Sequence, residues 1–256
     1  MSSEVTVHER REGPVVWVEL NRPDARNALN LAMCRALREK FEALDADPDV
    51  RVVMLCGAGP VFCAGADLKE RRGRDESWVL ARRQAAYAAY DAIGRCRKPV
   101  VAAVHGAVVG SGGEMAMSCD FIVAEAGAAF RFPEPQWGTI GATQRLQRII
   151  GVPRAKELLF TGRAMAAEEA YQLGLVARIA ASGELRSLAT EIAAAIAKAP
   201  PLAMGLTKEA VNLGSQVGLS AGMQIEQAAV ERCLRESDWR KGIEQFAQVV
   251  GNAKQS

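Results

Sequence analysis

Two glutamates in this chain stand where a glutamate needs a chemical reason. Glu114 follows the run Gly110-Ser111-Gly112-Gly113 and opens an apolar, helix-like stretch over 115–117. Glu134 lies in Phe132-Pro133-Glu134-Pro135, between two prolines in an otherwise apolar turn. Neither has the surroundings of a solvated helix face. A carboxylate pair held in apolar surroundings suits proton transfer, because burial and mutual repulsion drive the two pKa values apart. A capping glutamate and a loop glutamate are the plainer alternative.

The turns beside them carry a second chemistry. The run Gly110 to Gly113 sits at a strand-to-helix junction, where unpaired backbone N–H groups leave a helix N-terminus and favour developing negative charge. Phosphate is one candidate guest, yet the run is not a dinucleotide fingerprint, and no Lys-Ser/Thr follows it. Structural glycines that permit close packing remain the alternative. A second glycine turn, Ala64-Gly65-Ala66, also follows a strand. Two backbone N–H donors from independent turns, converging on one oxygen, would form an oxyanion hole worth about a few kcal/mol in a transition state. Ser111 also sits one glycine short of a nucleophile elbow. A hydrolase of that type needs a histidine later in the chain, and both histidines, His8 and His105, precede Ser111.

Alternating strands and helices are expected to position these turns. Val15–Leu20 reads as a buried strand ending at Asn21-Arg22-Pro23-Asp24. Asn30 then caps a helix with Met33, Leu37, Phe41 and Leu44 at helical spacing. Asp47-Pro48-Asp49 stops it, and 50–56 supplies a second strand. Residues 70–96 read as helical, with Trp78, Tyr87 and Tyr90 as the large rings. Val100–Val104 is a third strand running straight into the glycine turn, and 121–124 a fourth. The alternation predicts an α/β fold with mainly parallel strands. From Gln144 onward the chain reads as nearly all helix, with Leu185, Leu188, Ile192 and Ile196 on one face. Pro200-Pro201 marks a boundary, giving a core over 1–199 and a helical region over 200–256. Leu219, Met223, Ile225, Leu234, Ile243 and Phe246 give that last region much apolar surface, suited to packing on the core or on a sister subunit.

Composition narrows the chemistry. With 256 residues, 49% of them hydrophobic, the chain can bury a large core. A net charge of +2 without a basic block among aromatics makes nucleic acid an unlikely partner. Arg71, Arg72 and Arg74 cluster, as a solvated loop or to meet a small anionic ligand. Six cysteines are scattered with no CxxC pair, as buried thiols in a reducing cytoplasm would be. With two histidines and no HExxH or Cys/His cluster, no catalytic metal is expected. The polar start leaves no room for a signal or transit peptide, and no apolar run approaches the ~20 residues of a membrane span.

Taken together, these residues resemble the crotonase superfamily, the enoyl-CoA hydratase/isomerase family, over nearly the whole chain. Leu20-Asn21-Arg22-Pro23, Asn27-Ala28-Leu29-Asn30 and the segment from Phe62 to Lys69 look like its first signature turns. His105-Gly106, Glu114-Met115-Ala116, Cys119-Asp120, Phe132-Pro133-Glu134, Gly138-Thr139-Ile140 and Thr143-Gln144-Arg145-Leu146 follow in order. Each piece is weak alone; in this order and spacing they are highly specific. The resemblance implies a crotonase-like spiral core of ββα-type turns followed by a C-terminal helical trimerisation region, often assembling as a dimer of trimers. It implies a coenzyme A thioester as substrate, no separate cofactor, and hydration of a 2-enoyl-CoA. Glu114 and Glu134 match the two glutamates of the hydratases, with Glu114 activating water and Glu134 delivering a proton to Cα. Ala66 and Ser111 match the oxyanion-hole donors, Ser111 standing where the family usually has glycine. Arg26, Ala64, Asp67, Leu68 and Lys69 match positions along coenzyme A, Arg26 and Lys69 near its phosphates. Trp78, Trp137 and Gly141 are placed at the acyl pocket.

Two departures accompany the resemblance. The turn from Gly138 to Arg145 is shorter than the proline- and glycine-rich turn usual there, which implies a narrower acyl pocket or slower hydration. The end of the chain, Phe246-Ala247-Gln248-Val249-Val250, lacks the basic cluster common after that phenylalanine. The rival readings are double-bond isomerisation, which needs only the glutamate matching Glu134, another reaction of the family such as dehydration, and a weakly active acyl-CoA-binding paralogue.

Overall fold

The apolar runs of the first half become strands of one sheet. The computed structural model describes residues 5–237, 239–240 and 242–243. Among these the elements begin β1 (Val7–Glu12), β2 (Val15–Leu20), α1 (Leu31–Ala46), β3 (Val52–Gly57), α2 (Leu68–Arg71), α3 (Glu76–Arg95), β4 (Val100–Val104), β5 (Ala107–Val109) and α4 (Ser111–Ala116). They continue β6 (Phe121–Glu125), β7 (Ala129–Arg131), α5 (Thr143–Ile150), α6 (Val152–Thr161), β8 (Ala164–Ala166), α7 (Ala167–Gln172), β9 (Arg178–Ala180), α8 (Leu185–Ala197), α9 (Pro201–Gly214) and α10 (Leu219–Glu236). One sheet runs β1-β2-β3-β4-β6-β9, antiparallel between β1 and β2 and parallel thereafter. A second, smaller sheet runs β5-β7-β8.

Alternate residues of the large sheet face opposite ways. Val53, Leu55, Val100, Ala102 and Val104 join a cluster with Met33, Leu37 and Phe41 of α1 and Ala86, Tyr90 and Ile93 of α3. Val52, Met54, Val101 and Ala103 join a second cluster, against Leu185, Leu188, Ile192 and Ile196 of α8. A parallel sheet covered on both faces must be apolar on both, which is why 50–56 and Val100–Val104 read as unbroken apolar runs. The α1 cap is as expected: the Asn30 side chain accepts from the Met33 N–H, and Asp47 ends the helix.

Three expectations need correction. Val104 does not run straight into the glycine turn. The chain turns at Gly106 (φ +56), where a side chain would strike the Pro60 carbonyl, and enters the second sheet as β5. Helix does not fill 70–96 either: Gly73 lies at φ +72, and α3 restarts from Asp75, whose carboxylate accepts the Trp78 N–H at 2.8 Å. Nor is the chain after Gln144 nearly all helix, since β8 and β9 complete the two sheets. Each is a three-residue strand, too short for a period of two to show. Arg71, Arg72 and Arg74 are exposed, as a solvated loop requires.

Contacts divide the chain into two units, Met1–Lys198 and Ala199–Ser256. In the second, α9 packs on α10, with Gly214 and Gly222 facing each other. A groove of about 550 Å³ runs along this hairpin, lined by residues including Leu206, Ala210, Met223, Ala229 and Val230. Leu219 and Leu234 stay exposed there. The stretch from Phe246 to Val250 lies outside the described residues.

One buried polar residue ties the first unit's turns together. Asn27 is fully buried at φ +53, a left-handed conformation that asparagine tolerates better than most residues. Its side chain accepts the Arg22 N–H at 2.9 Å and donates to the carbonyls of Ala58 at 2.8 Å and Val61 at 2.9 Å. Asn27→Ala is expected to cost about 2–4 kcal/mol, since each stranded buried group costs about 1–3 kcal/mol. Asn27→Gly, which accepts the dihedral without the bonds, should lose nearly as much. Urea unfolding measures both; a glycine variant as stable as the parent would assign the residue a conformational role only.

Candidate active site

Two isolated parallel bridges bring the glycine turns together. Cys63 pairs with Val108: its N–H donates to the Ala107 carbonyl, and its carbonyl accepts from Val109. Three residues further along, one segment reaches Ala66 and the other Ser111, so the two stand at the same offset from the bridged pair. Gly65 (φ +100) makes the approach possible, since a side chain there would press on the Val109 carbonyl at 3.2 Å. The second bridge, Leu29 with Ala66, runs through the Gly65 carbonyl and the Asp67 N–H. In a parallel ladder this turns the Ala66 N–H toward the opposite edge. Among the described residues no acceptor takes the N–H of Ala66 or of Ser111. Two free donors at matched register are what an oxyanion requires.

Each glycine of the run before Glu114 has a steric reason. A β-carbon on Gly112 would stand 2.7 Å from Cys63 Cβ, and one on Gly113 2.5 Å from the Phe132 ring. On Gly110, at φ +47, it would collide with Glu134 Oε1. The bare backbone at Gly110, just before α4, thus leaves room for the Glu134 side chain. Gly141 does likewise from the other side, where a β-carbon would meet Glu134 Cγ and Oε1 at 2.9 Å. The Glu134 carboxylate is thus flanked by two glycines, and among the described residues its buried Oε2 has no hydrogen-bond donor.

Glu114 is buried on α4 at 7% exposure. Burial pushes the Glu134 carboxyl above its ordinary value. Its own backbone N–H opposes the rise, the charge of Glu114 adds to it, and Arg83 opposes it. Beneath α4, the buried Tyr90 hydroxyl donates to the Ser111 carbonyl at 3.2 Å. Burial, then the charge of Glu114, drive that phenol upward, so it stays a neutral donor. The two carboxylates thus stand in different surroundings, Glu114 buried on α4 and Glu134 in the turn with one oxygen buried and undonated.

The remaining expected residues are arranged around this centre. Arg26 is exposed at φ +52, and its carbonyl accepts the Ala64 N–H at 3.0 Å. Lys69 is exposed on α2, and Leu68 is 68% exposed beside it. Asp67 caps α2, accepting from the N–H groups of Lys69 and Glu70 and from Arg22 at 2.9 Å. Burial works against that carboxylate, but the Glu70 N–H and Arg22 hold it below its usual range. Its side chain is therefore committed to the fold. Trp78 is half-buried, with the Arg74 guanidinium 5.0 Å from its ring centroid. Trp137, at 74% exposure, faces solvent. Gly141, assigned to the acyl pocket, stands against the Glu134 carboxylate itself.

Sequence reasoning missed Arg82 and Arg83. Arg82 is buried and donates to the Leu29 carbonyl, part of the bridge behind Ala66. Arg83 reaches Thr139 and Ile140. A consecutive pair of arginines on a polar helix carries no signal of burial; only tertiary contact reveals it.

Comparison with known proteins adds to this geometry. The sequence model of a family described as Enoyl-CoA hydratase/isomerase matches residues 10–250. The chain is 40% identical over 236 residues to a putative enoyl-CoA hydratase/isomerase, YngF, of Bacillus subtilis (strain 168), covering 90% of each. It is 36% identical over 243 residues to a short-chain-enoyl-CoA hydratase of Clostridium acetobutylicum, covering 92% of each. Its fold is similar to the crystal structure of an enoyl-CoA hydratase from Bacillus anthracis, with a TM-score of 0.92, 37% identity, and 95% of this chain and 96% of that one covered.

The raised Glu134 carboxyl has a consequence for stability. The folded protein holds this proton more tightly than the unfolded chain does. The resulting stability is complete below the ordinary carboxylate range and is lost as pH climbs through the raised value. Glu134→Gln removes the buried charge while keeping the shape. Its melting temperature should exceed the parent's at about pH 8 and match it below about pH 4, where the parent glutamate is protonated in both states. A variant that melts below the parent at about pH 8 would mean that Glu134 is better solvated than its geometry indicates.

Proposed function

The chain belongs to the enoyl-CoA hydratase/isomerase family, and on that premise we propose that it is an enoyl-CoA hydratase, adding water syn across the double bond of a 2-enoyl-CoA thioester. The observation that carries the choice of reaction is the presence of two carboxylates, buried Glu114 and half-buried Glu134. Moving a double bond needs one group to carry a proton between carbons, whereas adding water needs a base for the water and an acid for the carbon. Glu114 and Glu134 supply both.

The reaction follows from the arrangement. Glu114 takes a proton from water as the water oxygen bonds to Cβ, and the double-bond electrons move toward the thioester carbonyl. The oxygen that becomes negative is received by the N–H groups of Ala66 and Ser111. Glu134 then gives a proton to Cα as the enolate returns its electrons, and the carbonyl re-forms. Protonated Glu134 is the state that its burial favours.

Coenzyme A enters as part of the substrate, with no other cofactor. Arg26 and Lys69 are read as its phosphate contacts, which their exposure supports; Ala64 and Leu68 are read as lining its path. The Asp67 carboxylate shapes that path through α2. A homotrimer, or a dimer of trimers, would cover apolar surface on α9 and α10. A cytoplasmic location suits six cysteines without a disulfide among them. The compact turn from Gly138 to Arg145 favours a narrow acyl pocket.

The loss of absorbance of the conjugated thioester, followed over enoyl-CoA substrates of increasing chain length, tests both the reaction and the pocket. Hydration bleaches it; a rise with a 3-enoyl substrate would instead identify an isomerase, and no change a binding protein. Glu114→Gln and Glu134→Gln should each lower kcat by about 10²–10⁴-fold, the usual contribution of a general acid or base, with thioester affinity within several-fold. Near-full turnover in both variants would remove the pair from the mechanism.

Ser111→Gly should keep its activity, because the proposed donor is the backbone N–H. Ser111→Pro, which has none to give, should be nearly inactive while retaining the parent's circular dichroism. A glycine variant as inactive as the proline one would return the hydroxyl to the mechanism.

A further inference from the structure

Arg83 stands on α3 with its guanidinium fork in the turn that follows Glu134. Nη1 donates to the Ile140 carbonyl and, at 3.2 Å, to the Tyr87 hydroxyl; Nη2 donates to Thr139 Oγ1 at 3.3 Å. The guanidinium carbon lies 5.9 Å from the Tyr87 ring centroid. Among the described residues, the side-chain hydrogen bonds that reach Thr139 to Ala142 all come from Arg83. This short stretch is tightly linked to the carboxylate. The Thr139 N–H donates to the Glu134 carbonyl at 3.1 Å, and Gly141 lies against the Glu134 side chain. Holding the Thr139–Ile140 peptide therefore holds one of the two glycines that flank the acid.

The charge of Arg83 is as informative as its bonds. All three of its hydrogen-bond partners are neutral oxygens, and among the described residues it forms no ion pair. Yet its charge acts on Glu134, opposing the rise that burial causes there. An arginine placed merely to stabilise the fold would gain more by pairing with a carboxylate. The other charged or titratable groups around it are Arg82, Tyr87 and Tyr90 on its own helix, and Arg145 of α5, whose guanidinium lies 5.6 Å from the Tyr90 ring centroid.

We infer that Arg83 is a positioning residue for the acid–base pair: its fork fixes the turn that seats Glu134, and its positive charge stands there without a carboxylate partner. This rests on the acid–base roles proposed for Glu114 and Glu134, and it adds a third group that acts without touching substrate. Removing the charge lets Glu134 keep its proton to higher pH. Removing only the fork leaves the charge and loosens the turn.

The variants Arg83→Met and Arg83→Lys separate the two effects. Arg83→Met should lower kcat for enoyl-CoA hydration by about 10–100-fold, as expected for about 1 Å of misplacement, with KM within about threefold. The alkaline limb of its kcat/KM–pH profile, where Glu134 loses its proton, should move to higher pH. Arg83→Lys should return that limb close to the parent's position while kcat stays depressed. An alkaline limb unmoved in Arg83→Met, with kcat and melting temperature falling together in both variants, would reduce Arg83 to a stabilising clamp and overturn the inference. Carboxyl-13C glutamate NMR of the substrate-free protein, with Glu134→Gln to assign the signal, reads the same displacement without turnover. A displaced Glu134 titration in a protein that hydrates no enoyl thioester would overturn the hydratase reading and uphold the charge effect of Arg83. An undisplaced titration would overturn the Arg83 inference whatever the reaction.

Discussion

Everything at the centre of this molecule depends on two stretches of backbone lying closer together than side chains normally permit. The Cys63–Val108 bridge carries Ala66 and Ser111 forward in step, and it forms only because Gly65 and Gly112 present no β-carbon to the opposing chain. The same absence at Gly110 and Gly141 opens the slot that Glu134 fills. A carboxylate with an undonated oxygen would ordinarily turn toward solvent, because a buried polar group without a partner is costly. Here the helix start on one side and the compact turn on the other leave it no room to do so.

Helix α3 links that packing to the rest of the first unit. Arg82 reaches the Leu29 carbonyl behind Ala66, Arg83 the turn after Glu134, and Tyr90 the Ser111 carbonyl. One helix face therefore touches the backing of both proposed oxyanion donors and of the acid. Other positions, such as Leu80, are exposed and free of that duty. The helix can vary on its outer face while the inner contacts stay fixed.

The sequence made local features plain. Glu114 and Glu134 stood out because their neighbours were wrong for solvated carboxylates, and Asn30 and Asp47 bound α1 because capping is decided within a few residues. The parallel strands were evident because burial on both faces leaves unbroken apolar runs. What stayed hidden depends on distant partners. Two of the three partners of Asn27, Ala58 and Val61, lie across the fold in the turn after β3, the matched register of Ala66 and Ser111 exists only after the chain has folded back, and Arg83 looks like any surface arginine until Thr139 and Ile140 arrive. The strands β8 and β9 escaped for a different reason: three residues cannot display a period, and their partners β7 and β6 decide their state.

The first strand carries a consequence of its own. All of β1 after Val7 is exposed, and it reads His8-Glu9-Arg10-Arg11-Glu12 along the rim of an otherwise apolar sheet. Arg11 is held by Asp47 and Lys40 reaches Glu9, so the rim is laced to the end of α1 and to α1 itself. Without this strand the open edge would be β2, whose Val16, Trp17 and Val18 would present unpaired amides in a strongly apolar segment. The opposite edge, β9, is three residues long and begins with Arg178. Both rims are therefore poor templates for a further chain, so the sheet is guarded against edge-to-edge growth into aggregates while its interior remains as apolar as the buried site demands.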